Sequence, residues 1–211
     1  MTLLFYLSGG VSNPNPNASL GGVKSSIPVV NSIVENVLDN VTKKEITVNK
    51  TEYRLFYIHN SHGSIPVRGG VIYITSYPIS TEVTIGLDPA GAGNGSTTGV
   101  AQTISTEDTA PIGVDFEDAG EFKCKVPIPL LRAGESVGIW VKRISSGSGG
   151  SGTISVGLYV PADESALTIV TQDATHFSNS EGVSIGERTA MAALDLLAKV
   201  GYARIGFSQI V

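Results

Sequence analysis

Apolar and polar residues alternate along much of this chain, and the alternation predicts strands. In residues 120–128, Phe122, Cys124, Val126 and Ile128 fall on one face, with Glu121, Lys123 and Lys125 on the other. A period of two marks a strand with one buried face. Ile154, Val156, Leu158 and Val160 repeat the pattern. Between them, residues 137–144 are nearly continuous in apolar side chains and carry the only tryptophan, Trp140. That segment is expected to be a central strand. The three strands are expected to form the spine of a β-sandwich.

Further strands follow from the same reading. Tyr53, Leu55 and Tyr57 alternate with Arg54, Phe56 and Ile58, so both faces are largely apolar and both should be covered. Residues 67–77 place Val71, Tyr73 and Thr75 opposite Ile72 and Ile74, and Pro78 marks an end or an edge. Val83, Ile85 and Leu87 share one face of residues 82–87. Residues 45–48, 100–104 and 166–171 are expected as short strands. Helical spacing is rarer. Val29, Val30, Ile33, Val34, Val37, Leu38 and Val41 recur at that spacing, but many are β-branched. A short helix or an irregular segment is expected over 32–39. Met191, Leu194, Leu197 and Ala198, followed by Gly201, predict a helix over 189–200. Ala203, Ile205 and Phe207 predict a closing strand within 202–211.

Residues 1–26 have a different character. A short apolar run, Leu3-Leu4-Phe5-Tyr6-Leu7, leads into a Gly-, Asn- and Pro-rich segment. Pro14 and Pro16 fix φ and remove donors, which rules out a helix or a central strand there. The segment is either an extended arm reaching a neighbouring subunit or a terminal strand lying on its own sheet. The fold expected is therefore all-β: an antiparallel, jelly-roll-like β-sandwich over 27–160, an extended N-terminal arm over 1–26, and a small C-terminal helix-plus-strand appendage over 161–211.

The arm carries a resemblance. Leu4-Phe5-Tyr6-Leu7-Ser8-Gly9-Gly10, then Asn13-Pro14-Asn15-Pro16-Asn17-Ala18-Ser19-Leu20-Gly21-Gly22, resembles the opening of a group of tailed-bacteriophage virion structural proteins. Thr51-Glu52-Tyr53-Arg54, Leu87-Asp88-Pro89-Ala90-Gly91 and Gly138-Ile139-Trp140-Val141-Lys142-Arg143 extend it over roughly residues 4–160; the last stretch of the chain does not match. The resemblance implies a virion component without fixing its place in the particle.

Composition is compatible with that. The charged fraction is 16%, against ~25% in typical domains, and glycine is abundant. A polar, weakly charged surface suits packing against neighbours, because burying charge is costly. It also suits any Gly-rich β-protein. The net charge is −5 and the cations are scattered, so no basic face is present to neutralise phosphates, and nucleic acid is not an expected partner. Cys124 is the only cysteine, which excludes an internal disulfide, and it falls on the inward side of its strand. Residues 3–7 are too short for a signal core, and no run approaches the roughly 20 apolar residues of a membrane span. No targeting segment and no membrane are expected.

Candidate chemistry is sparse. Residues 88–99 are Gly-rich but lack the Lys-Ser/Thr of a phosphate loop and any βαβ context. Asp108, Asp115, Glu117 and Asp118 do not have the spacing of an EF-hand loop. His59 and His62 lie near each other, but no cysteine or nearby carboxylate completes a metal site; His176 is distant. A Ser-His-Asp triad draws on distant positions that spacing does not test, but no nucleophile elbow stands between a strand and a helix. Glu52, Glu82, Glu107, Glu121 and Glu135 are expected mostly at strand ends or on solvent faces, not paired across a cleft. Tyr73, Tyr77 and Trp140 are the aromatics a glycan-binding module would use, with Trp140 better placed in the core.

The expected function is structural, with no catalysis, cofactor or metal: a virion protein made in the host cytoplasm, most simply a head decoration (cement) protein that forms homo-oligomers and binds other capsid or tail subunits. Its contact residues are expected in the arm, at Leu4, Phe5, Tyr6, Leu7, Pro14, Pro16 and Leu20. A neck, tail or baseplate subunit, or a glycan-binding adhesin module, is the alternative.

Overall fold

The computed structural model describes residues 3–29, 36–39, 41–76, 81–89, 100–118, 126–145, 154–159 and 205–207. Its strands, in chain order, are β1 (Leu3–Leu7), β2 (Gly21–Gly22), β3 (Thr51–Asn60), β4 (Val71–Ser76), β5 (Thr81–Leu87), β6 (Ala101–Thr103), β7 (Glu117–Asp118), β8 (Val126–Pro127), β9 (Ser136–Ser145), β10 (Ile154–Tyr159) and β11 (Ile205–Phe207). A five-residue helix, α1 (Lys43–Thr47), and a 3-10 turn (Pro16–Ala18) complete the described elements. Every strand pair among the described residues is antiparallel. Among the described residues the fold is all-β with little helix, as the alternation predicts.

One sheet has the order β1-β3-β9-β5-β7, a second runs β11-β10-β4-β8, and β2 pairs with β6. β9 sits between β3 and β5, the central place expected for residues 137–144. Its register with β3 runs from Thr51↔Ile144 to His59↔Ser136 and sets two faces. On one, Phe56 and Ile58 stand opposite Ile139 and Val137. They join Leu3, Phe5, Leu7, Val83 and Ile85, together with Ile72, Ile74, Val126 and Leu158 from the second sheet, in one apolar cluster. On the other face Leu55 stands opposite Trp140. There Tyr53, Tyr57, Ala101 and Ile104 pack with Leu20, Val114 and Phe116. β3 is thus covered on both sides, as its sequence predicts.

Several expectations need correction. The strands of residues 120–160 do not form one spine. β9 belongs to the first sheet, whereas β8 and β10 flank β4 in the second. Residues 45–48, expected as a strand, belong to the turn of α1 and its C-cap. The Thr42 hydroxyl accepts from the Glu45 N–H, and the Glu45 carboxylate accepts from the Thr42 N–H at 2.6 Å. That capping box outweighs the β-branched character of Ile46, Thr47 and Val48. The strand expected over 67–77 begins only at Val71, after Gly69 and Gly70; Val67 makes an isolated bridge to Leu131 instead. Of the segment expected over 32–39, residues 36–38 form a bend, and 32–35 lie outside the described residues. Phe122, Cys124, the loop 90–99, the strand 166–171 and the helix 189–200 also lie outside them. Part of the expected closing strand is present as β11, paired with β10.

The N-terminal run settles on its own sheet. β1 pairs with β3 from Leu3↔Asn60 to Leu7↔Phe56, and its burial alternates with Leu3, Phe5 and Leu7 inward. The outer edge of β1 is itself covered. Phe5 and Leu7 carbonyls accept from the Val29 and Ser25 N–H groups at 2.8 Å, and Pro28, which has no N–H, bridges Tyr6. Further along β3, Leu55 N–H donates to Ser19 O and Tyr53 N–H to Glu107 O. This side of the sheet is therefore closed to strand addition.

Candidate functional site

The register that aligns Phe56 and Ile58 with β9 also points Glu52 and Arg54 to the same face, with Arg143 opposite Glu52. The inner face of the first sheet thus changes along its length from apolar to ionic. Glu52, Arg54 and Arg143 are fully buried. Arg143 donates from Nε to Glu52 Oε2 at 2.7 Å, from Nη1 to Asp39 O at 2.6 Å and from Nη2 to Asp39 Oδ1 at 3.0 Å; Nη2 also donates to Glu52 Oε2. Arg54 donates to Glu107 and to Tyr53 O. Lys50 joins the acids. Its Nζ donates to Glu45 Oε1 at 2.8 Å and to Glu107, and stands 3.5 Å from Glu52 Oε1.

Seven charged groups therefore meet where the 36–39 bend, α1, the ends of β3 and β9, and the 105–109 turn converge. Burial pushes the Glu45 carboxyl up, but hydrogen bonds from Lys50 and Thr42 outweigh it and hold it at about 2. Burial likewise raises Glu107, and the bonds from Lys50 and Arg54 bring it below its usual value. Burial lowers Lys50, while Glu107, Glu45 and Glu52 more than reverse that and keep it protonated well above its ordinary range. Carboxylate oxygens of Asp39, Glu52 and Glu107 lie within 4.8 Å of one another, a spacing compatible with a metal ion. Each of the three is already paired with Lys50, Arg54 or Arg143. A divalent cation there would face three positive groups, so the arrangement works as an ionic staple that fastens two irregular segments to the sheet ends.

The sequence expects these acids at strand ends or on solvent faces, where Glu52 and Glu135 do stand at strand ends, but it misses their burial. Glu52 and Glu135 are buried and Glu107 is half-buried, whereas Glu82 is exposed as expected; Glu121 lies outside the described residues. The phase of Glu52 with Phe56 and Ile58 is the signal that could have found it.

The remaining candidates do not converge. His59 Nδ1 is 2.8 Å from Ser136 Oγ, while His62 Nδ1 accepts from the Ser64 and Ile65 N–H groups, so the two rings serve different partners. Burial and then the Lys24 ammonium lower the His59 imidazole below its usual value. Trp140 is fully buried and donates from Nε1 to Asp88 Oδ2 at 2.6 Å, and Tyr73 is buried as well. Neither presents a ring to a glycan; Tyr77 and His176 lie outside the described residues.

The expected contact residues divide. Phe5 and Leu7 belong to the core and offer no surface to a neighbour, because β1 turns their side chains into the main apolar cluster. Leu4, Tyr6, Pro16 and Leu20 are half-buried, and Pro14 is exposed. Tyr6 lies under the Lys24 ammonium, 3.9 Å from its ring centroid, and edge-on to His59. Leu20 packs on the Trp140 side.

Residues 8–26 fold as a clasp over that side. Ser8 Oγ donates to Leu55 O and accepts from the Gly21 N–H; Tyr57 Oη donates to Gly22 O and accepts from the Ala101 N–H. Burial, foremost, lifts the Tyr57 phenol to about 12, so it stays a donor. Asn13 and Asn15 side chains each accept from the N–H two residues on, and Ser25 Oγ donates to Asn13 O. Two glycines are obligatory. Gly9 (φ +91°) and Gly21 (φ +92°) are left-handed, and a Cβ on them would sit 2.1 Å from Ala18 O and 1.9 Å from Gln102 O.

No protein-family model matches the chain, and no curated protein matches it. Solved structures give distant likenesses. A family 123 glycoside hydrolase from Clostridium perfringens aligns at 9% identity and a TM-score of 0.36, over 99% of this chain but only 27% of its own length. The N-terminal domain of PorA aligns at 11% and 0.31, over 97% of this chain and 95% of that one. AvmM, which catalyses macrocyclization in alchivemycin A biosynthesis, aligns at 10% and 0.30, over 87% and 85%. Likenesses this low assign neither a fold family nor a function.

Proposed function

We propose that this chain is a structural component of a tailed-phage virion, a head decoration (cement) protein that binds neighbouring subunits. In this reading its two larger sheets are the layers of a jelly-roll-like β-sandwich, supported by the apolar cluster they share. The protein acts in the virion after synthesis in the host cytoplasm. It needs no catalysis, cofactor, nucleic acid or membrane.

One observation carries the proposal. The residues that give the phage-protein resemblance, Ser8-Gly9-Gly10 through Ser19-Leu20-Gly21-Gly22, are those that build the braced clasp. The clasp is internally hydrogen-bonded, so little ordering cost remains when a partner binds. Charge supports the same reading. Three of the 14 basic residues and four of the 19 acidic ones are drawn into the staple, which leaves the surface still poorer in ions and cheaper to bury against another protein.

The test is quantitative mass spectrometry of purified particles of the phage that encodes the chain, with antibody labelling of intact virions. Many copies per particle, with label over the head, are expected. Label confined to the neck, tail or baseplate would move the assignment to the alternative, and absence from particles would overturn it.

A further inference from the structure

The clasp does not lie alone. Its β2 pairs with β6, with Gly22 opposite Ala101. This joins two stretches of the sequence that are nearly free of charge. Residues 1–34 contain no Asp or Glu and one cation, Lys24; residues 89–106 contain no charged residue. Lys24 is occupied over the Tyr6 ring. In a chain of net charge −5, the described parts of these two stretches, residues 3–29 and 100–106, meet in a face whose single charge is Lys24.

The same face gathers exposed apolar side chains. Six large ones are exposed among the described residues: Val11 (65%), Val23 (42%), Ile27 (37%), Val48 (62%), Val100 (48%) and Ile112 (84%). Val11, Val23 and Ile27 are on the clasp or directly after it. Backbone bonds from Gly10 to Val23 O and from Ser26 to Val11 O hold the first two segments side by side. Val100 immediately precedes β6, and Ile112 is tied to β6 through both its N–H and its carbonyl by the Gln102 amide. Only Val48 lies elsewhere, at the end of α1.

We propose that this face, centred on Val11, Val23 and Val100, is the surface through which copies of this chain associate with one another. Charge chooses the occupant. Copies of a protein with net negative charge repel wherever their acidic surfaces meet. An apolar face with no acid, whose one cation is already seated over Tyr6, is complementary to itself. Sheet-edge addition through β1 is closed by Pro28 and its neighbours, so at this face association uses side chains on a preformed loop, not a ladder shared through β1. The inference deepens the virion reading and rests on it for its biological setting, but association in solution tests it separately.

The experiment is sedimentation of the purified full chain over a concentration series. Wild type is expected to associate reversibly. Val11→Lys/Val23→Lys is expected to weaken association on the order of 100-fold in Kd, because it buries unpaired charge, while bringing the net charge closer to zero. Val100→Lys, on the other strand of the pair, must weaken it similarly and decides the matter if the double variant fails to fold. Val48→Lys, with the same added charge elsewhere, must leave it unchanged. A wild type that stays monomeric, or clasp variants that associate like wild type, would overturn the proposal. Equal loss in Val48→Lys would overturn the assignment to this face. Association without particle incorporation would refute only the virion reading.

Discussion

The two faces of β3 show opposite uses of polarity. At its start, Glu52 and Arg54 are buried among Asp39, Lys50, Glu107 and Arg143, so charge is concentrated inside. On its opposite face, Leu55 and Tyr57 carry a clasp that is largely solvent-facing yet has only Lys24 for charge. The inside holds ions where two irregular segments, 36–39 and 105–109, meet the sheet ends, and there the ion pairs add directional fastening to the apolar anchorage of Val37 and Leu38. On the proposal made above, the outside omits them because it is a surface that another copy covers. Position relative to water does not by itself decide where charge goes; the task of the segment does.

The largest effect should come from removing what both faces depend on. Deleting residues 1–7 takes Leu3, Phe5 and Leu7 out of the core, at roughly 1.5–3 kcal/mol each, and uncovers the β3 edge. That sum approaches the about 5–15 kcal/mol that holds a typical domain together. The truncated chain is expected to be unfolded or aggregated by circular dichroism and light scattering; a soluble, cooperatively melting product would contradict the placement of β1.

Arg143→Met comes next. It strands Glu52 and Asp39, and loss of one partner from a buried pair costs about 3–5 kcal/mol. Denaturant titration should show that loss, and Glu52→Leu added to Arg143→Met should restore part of it. Gly21→Ala tests the clasp in the same assay. The strained φ and the approach to Gln102 O are expected to cost about 1–3 kcal/mol.

Acid should act on the staple and spare the clasp. Glu45 and Glu107 are held below their ordinary value of 4.5. Their contribution is therefore present above that value and is lost as pH falls, for Glu45 toward about 2. Lys50, shifted upward from 10.5, loses its contribution only on the alkaline side. Stability measured between pH 5 and 2 should fall less in Glu45→Gln than in wild type. The smallest effect belongs to Val11→Lys, which should leave the midpoint of unfolding within ~0.5 kcal/mol of wild type.

Much of the fold could be read from phase alone. Phe56 and Ile58, Val83 and Ile85, and Val137 and Ile139 fall inward as alternation requires, and Trp140 marks the central strand. The staple could not be read that way, because Arg143 finds Glu52 and Asp39 across 91 and 104 residues of chain. Nor does local pattern say which partner will cover an apolar strand. Leu3, Phe5 and Leu7 alternate clearly, but only the pairing with β3 shows that their own core takes them. The clasp is the converse case: its glycines, asparagines and prolines announce a turn-rich segment, while its anchorage at Leu55 and Tyr57 depends on tertiary contact.

A density map of the purified particle tests the central claim most directly. The account predicts this chain at symmetric positions on the head, with Val11, Val23 and Val100 packed against another copy and the Arg143 staple enclosed within each subunit. A map in which that face looks out into solvent while the subunits meet elsewhere, or one that holds no density for the chain, would contradict it.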